Sequence, residues 1–293
     1  MSLRLGINTC FAVKRWPAPD EWAQVVADEL GLDLVQHSLD LVDLAADDLD
    51  EQAALVAAAC GAHGLHLHST FTGLAAYSSS LLLDPDANRR RAAVRFLERA
   101  IAFSARAGAR ATGGHVGSLS AREHADPPRR AERWEALRAA LAHLATFAHE
   151  AGLEALLVEN MACGREPSTM AQVSDLLTPG DTGRVPVRLC LDIGHQCVPG
   201  TTGAERDPYA WLQRMGADSS VIHLQQSDAD ADHHWPFTAA YNAAGRIDAR
   251  RVLEALGEAQ PVLVLEVIPP FELADDQVLA DLRESVAYWK AAL

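Results

Sequence analysis

A chain of 293 residues is long enough for two average domains or for one large α/β barrel, and either buries a substantial core. With 49% hydrophobic and 22% charged residues it has the make-up of a soluble globular protein, which excludes a disordered chain. Its 40 acidic against 25 basic residues give a formal net charge of −15, which disfavours nucleic acid or an anionic membrane as partner.

The opening MSLRLGINTCF runs straight into a strand-like stretch without a positive leader or an apolar signal core. No apolar run approaches the length that spans a bilayer, so a cytoplasmic protein is expected. Short β-rich runs then alternate with longer amphipathic ones. Strands are predicted over Arg4–Phe11, Leu34–Leu39, Leu65–Phe71, Ala109–Val116, Ala155–Asn160, Val187–Ile193, Val221–Gln225 and Val262–Val267. Helices are predicted over Asp20–Leu30, Leu49–His63, Ala87–Ala107, Arg129–Ala151, Thr169–Leu177, Pro208–Met215, Asp248–Glu258 and Asp276–Ala292. Gly31, Gly64, Gly108 and Gly152 follow helix ends, where a left-handed residue is favoured.

Such alternation predicts parallel βαβ units, and its economical closure is a single (β/α)8 TIM barrel over residues 1–293. A doubly wound open sheet is the alternative, but no GxGxxG follows the first strand. Ser227–Gly245, after the seventh strand, is the longest stretch without a regular pattern and sits where barrel enzymes place functional loops. The five cysteines are scattered without a CxxC pair and predict free thiols.

In a barrel the C-terminal strand ends converge on one face, so polar residues distant in sequence meet there. Glu159 in LLVEN, Asp192 in LCLDIGH and Glu266 in VLVLEV each break an apolar strand with a carboxylate. Three ionised carboxylates on one face repel, and a divalent cation resolves the conflict. With His223 of IHLQQSD they form an oxygen-rich set with one imidazole, suited to one Mn²⁺, Mg²⁺ or Co²⁺ better than to Zn²⁺. His68, His115 and His195 also lie at strand ends, whereas His66 is expected to be a core histidine one layer deeper. Lys14 and Arg15, just after the first strand, are a candidate pair for a substrate phosphate.

These four anchors resemble the xylose isomerase-like barrel superfamily, which holds ketose 3-epimerases and type IV apurinic endonucleases. The resemblance implies that Glu159, Asp192, His223 and Glu266 bind the metal, that both glutamates serve as acid and base, and that His195 touches substrate oxygens. It implies proton transfer next to a ketose carbonyl through a cis-enediolate, with a small sugar or sugar phosphate as partner and a homodimer or homotetramer as assembly. An arginine that some epimerases carry soon after the seventh-strand histidine is missing from QQSDADADHHWPF. The endonuclease branch offers a rival match. There His68, His115, Glu159, Asp192, His195, His223, Asp232, His234 and Glu266 fall in the order of a trinuclear zinc site, against which stands the net charge of −15. A metal-dependent decarboxylase or dehydratase is a further alternative. For a sugar enzyme the candidate substrate contacts are His68, His115, His195, Asp232, His234, Lys14 and Arg15. NTCFAVKRWP and HSTFTGLAAYSS resemble bacterial enzymes of short-polyol breakdown, which points to a tetrulose phosphate.

Overall fold

The structure, a computed structural model, describes residues 3–293. Its strands are β1 (Leu5–Asn8), β2 (Leu34–Ser38), β3 (His66–Phe71), β4 (Ala111–Gly114), β5 (Ala155–Glu159), β6 (Val187–Asp192), β7 (Ser219–Leu224) and β8 (Val262–Leu265). They follow one another in chain order around a closed barrel. The pairing is parallel: Ile7 registers with Val35 on one side and with Leu265 on the other, and His223 with Val264. This is the expected (β/α)8 barrel, with helices between the strands.

The helices at Ala87–Ala107 and Pro208–Met215 coincide with expectation, and the others differ by a few residues at their ends. Two short helices, Ala121–His124 and Ala239–Ala244, were not anticipated. The second lies inside Ser227–Gly245 and, at six residues, is too short to show an apolar period. The expected first helix runs over Pro19–Gln24 and continues as a π turn over Val25–Glu29.

The chain packs as two compact units. One comprises the residues through His37, Ala58–His66 and Cys190–Leu293. In it Trp22 lies against His37, ring centroids 5.1 Å apart, and Phe237 stacks on Tyr288 while meeting Trp289 edge-on. The other comprises Ser38–Ala57 and Leu67–Leu189. Its core joins Ile101 of the Ala87–Ala107 helix and Leu137, Leu141 and Leu144 of the Pro127–Glu150 helix to Leu156 and Val158 of β5. Gly113 fixes the β4–β5 approach, because a Cβ there would lie 1.9 Å from the Leu157 carbonyl oxygen.

His66 is exposed rather than buried. It is the first residue of β3, at the end of the strand remote from the C-terminal face, so it faces water instead of a core layer. Among the described residues all five cysteines are free, and no helix is long and apolar enough to cross a membrane.

Candidate functional site

In the first unit, polar residues gather where β1, β2, β6, β7 and β8 end. A chain of hydrogen bonds there begins at the backbone. The Cys10 N–H donates to Asn8 Oδ1 at 2.8 Å, which turns Asn8 Nδ2 toward Gln36 Oε1 at 2.7 Å and Glu266 Oε1 at 3.3 Å. Gln36 Oε1 thus faces donors, and His223 Nε2 reaches it at 2.6 Å. A carbonyl oxygen cannot donate, so Nε2 carries a proton and Nδ1 is the ring nitrogen turned elsewhere. Nδ1 faces carboxylates, with Glu266 Oε2 at 2.9 Å and Asp192 Oδ2 at 4.0 Å. Two carboxylates facing one imidazole nitrogen, all but fully buried, require a positive charge among them.

Asp192 ends β6, and its Oδ1 accepts from the Gly194 N–H at 2.6 Å. Gly194 has no space for a side chain, since a Cβ would lie 2.3 Å from Gln225 Cδ. Gln225 Nε2 approaches both Asp192 oxygens, at 3.1 and 3.2 Å, and Asp232 Oδ1 at 2.8 Å, while its Oε1 accepts from the His234 N–H at 2.6 Å. One amide therefore ties the β6 end to the loop after β7.

That loop delivers Asp232 between two imidazoles, His195 Nε2 at 3.2 Å and His234 Nε2 at 3.2 Å. Burial raises the Asp232 carboxyl, but the charges and hydrogen bonds of His195 and His234 outweigh it and hold the group well below the usual carboxylate range. Burial likewise opposes protonation of His234, yet Asp232 beside it lifts the imidazole to about 9. His234 sits at φ +50, held there by Gln225 and by its Nδ1 against the Glu266 carbonyl oxygen at 3.1 Å.

In the second unit Glu159 ends β5, fully buried, and Tyr77 Oη donates to its Oε2 at 2.9 Å. The Tyr77 ring stacks on His115, centroids 5.0 Å apart and planes 15° from parallel. The His115 N–H donates to Thr72 Oγ1 at 2.8 Å, an approach allowed by Gly114 at φ +127. His68 is half-buried, its Nδ1 3.1 Å from Ser69 Oγ. Lys14, exposed at φ +64, extends its Nζ over the Phe271 ring at 4.2 Å. The Arg15 guanidinium is already committed to Asp275 and to the carbonyls of Pro270 and Phe271.

Sequence reasoning assigned no role to Tyr77, Gln36, Asn8 or Gln225. Tyr77 lies in the 3-10 turn Leu74–Ser78, 82 residues from Glu159, and Gln36 lies 187 residues from His223. Only Gln36 and Asn8 gave a signal, as polar residues at strand ends.

Residues 25–290 match the family described as the xylose isomerase-like TIM barrel. The chain is 30% identical to the D-erythrulose 1-phosphate 3-epimerase of Brucella abortus (strain 2308), over 99% of this chain and 96% of that protein. It is 36% identical, with a TM-score of 0.90 and full coverage of both chains, to a Rhodospirillum rubrum protein solved under a provisional xylose isomerase designation. The D-psicose 3-epimerase of Clostridium cellulolyticum H10, solved with D-tagatose, shares the fold at 15% identity and a TM-score of 0.72, over 99% of both chains.

Proposed function

The chain belongs to the xylose isomerase-like TIM barrel family, and on that premise we propose that it is a divalent-metal-dependent ketose 3-epimerase whose substrate is D-erythrulose 1-phosphate or a close relative. The observation that carries this proposal is the buried donor set. Within the first unit one ligand atom from each of Asp192, His223 and Glu266 lies within 4.8 Å of the others, and Glu159 is the proposed fourth member. Three carboxylates and one imidazole suit Mn²⁺, Mg²⁺ or Co²⁺, and the His223–Gln36 bond is the outer support expected of a metal-binding histidine.

Bound there, the cation supplies a Lewis acid beside the substrate carbonyl and so acidifies the neighbouring C–H. Glu159 removes that proton from one face of C3, and Glu266 returns a proton to the other, which inverts the carbon. Tyr77 donates to Glu159 Oε2 and so orients the carboxylate for the transfer. His195, Asp232 and His234 offer a preformed set of donors and acceptors to the substrate hydroxyls. The five free thiols support a reducing, cytoplasmic setting.

The test is epimerisation of D-erythrulose 1-phosphate, followed by polarimetry, with protein stripped by EDTA and then resupplied with Mn²⁺, Mg²⁺, Co²⁺ or Zn²⁺. Activity lost on stripping and regained with one of the first three supports the proposal. No epimerisation with any metal, or phosphodiester cleavage restored by zinc, overturns it.

A further inference from the structure

Among the described residues, two arginines near this site, Arg206 and Arg246, have no ion-pair partner. Arg206 ends the 3-10 turn Gly203–Arg206 beyond β6, and Arg246 follows the Ser227–Gly245 segment beyond β7. Arg206 donates from Nη1 to the Val198 carbonyl at 3.3 Å and from Nη2 to that of Ala229. Arg246 donates from Nη1 to the Arg206 carbonyl at 2.8 Å. Among the described residues neither guanidinium has a carboxylate within ion-pairing distance, and Arg246 Nε and Nη2 are buried without a partner. Asp228 and Asp207 lie nearby, but Asp228 is bound to His233 at 3.1 Å and Asp207 caps the Tyr209 N–H at 2.9 Å.

The vacant edge has a specific chemistry. Nε and Nη2 form the side-on fork with which arginine holds a carboxylate or phosphate through two parallel hydrogen bonds. Burying such an edge away from any carboxylate is costly, and the more conspicuous in a chain of net charge −15.

The backbone is shaped to deliver the arginine there. The Arg246 N–H donates to the Ser227 carbonyl at 3.0 Å, and Gln226 clasps Ile247 with both ends of its amide at 2.9 Å. Gly245 is needed for that clasp, since a Cβ would lie 2.1 Å from Gln226 Oε1. The preceding residue, Gln225, binds Asp192 and Asp232. Cys197 marks how near the two regions are: its thiol is pushed up chiefly by burial, and it also feels Asp232, His195 and Arg246.

We propose that the Nε–Nη2 edge of Arg246, backed by Arg206, is an oxyanion subsite that takes the phosphate of a phosphorylated ketose. This rests on the epimerase function proposed above, which names no phosphate ligand.

The test uses the full chain with inorganic phosphate as probe, comparing wild type, Arg246→Gln and Arg246→Lys. Thermal melting is measured in phosphate and in chloride at equal ionic strength, and KM is measured for D-erythrulose 1-phosphate and for unphosphorylated erythrulose. Phosphate should raise the wild-type melting temperature, and Arg246→Gln should abolish the rise. The same variant should raise KM for the phosphorylated ketose by about tenfold more than for erythrulose, with the loss falling on KM rather than kcat. Arg246→Lys keeps the charge without the fork and should show the same preference for losing the phosphorylated substrate, which preserves the test if Arg246→Gln does not fold.

Equal phosphate stabilisation in all three proteins overturns the subsite, as does an equal rise in KM for both ketoses. Phosphate stabilisation lost in the variant while KM for the sugar phosphate is unchanged means a site for free phosphate only, and also overturns it. A phosphate response that depends on Arg246 in a protein that epimerises no ketose leaves the subsite standing and removes the epimerase function instead.

Discussion

His37 makes the structure's clearest demand on pH. Its side chain is 1% exposed, packed against Trp22 and within 3.2 Å of Thr9 Oγ1, and burial lowers its pKa from 6.5 to about 3. The unfolded chain takes up a proton at His37 near pH 6.5 and the folded chain does not until about pH 3. Between those values the unfolded state binds more protons, so stability falls as the pH falls, by up to about 1.4 kcal/mol per pH unit. From pH 7.5 to 4.5 the loss assignable to His37 alone is roughly 2–3 kcal/mol. Other groups titrate in the same window, so the useful quantity is a difference. Urea unfolding of wild type and of His37→Gln, at both pH values, should show the variant less stable at pH 7.5 and the gap shrinking by that amount at pH 4.5. A gap independent of pH would refute the claim that His37 is buried in its neutral form.

The β4–β5 contact and the outer support of the site yield two further expectations. Gly113→Ala puts a methyl 1.9 Å from a backbone oxygen that cannot turn aside, and should cost at least about 3 kcal/mol in urea unfolding; a loss below about 1 kcal/mol would contradict that geometry. Gln36→Leu removes the acceptor for His223 Nε2 and should weaken Mn²⁺ binding to the metal-free protein by about 10- to 100-fold in calorimetry, whereas unchanged affinity would mean His223 is not a ligand held through Gln36.

The barrel was legible because its signal is repeated: each apolar run of β character is followed by an amphipathic stretch, and four of these stretches end at Gly31, Gly64, Gly108 and Gly152. What the pattern concealed were local departures from it. β1 stops at Asn8 because the Asn8 side chain caps a 3-10 turn over Thr9–Ala12, so the run through Phe11 read as one strand is strand and turn. β4 covers only Ala111–Gly114, ending at a glycine whose positive φ turns the chain. The acidic members of the site stood out as carboxylates interrupting apolar strands, where burial without a partner is costly. Their supports did not, because a tyrosine in a short 3-10 turn or a glutamine at a strand end has no distinctive neighbours until the chain folds. Arg15 shows the converse. Beside Lys14 it reads as a free cation, yet its partner Asp275 is 260 residues away.

The most direct test of proton transfer by Glu159 and Glu266 is the fate of the C3 hydrogen of D-erythrulose 1-phosphate in D₂O, followed by proton NMR with Mg²⁺-loaded protein. Transfer through these two carboxylates predicts that wild type exchanges this hydrogen for deuterium and produces both C3 configurations. Glu159→Gln and Glu266→Gln should each slow conversion by about 10²- to 10⁴-fold. Retention of the C3 hydrogen during turnover, or wild-type rates in both variants, would contradict it.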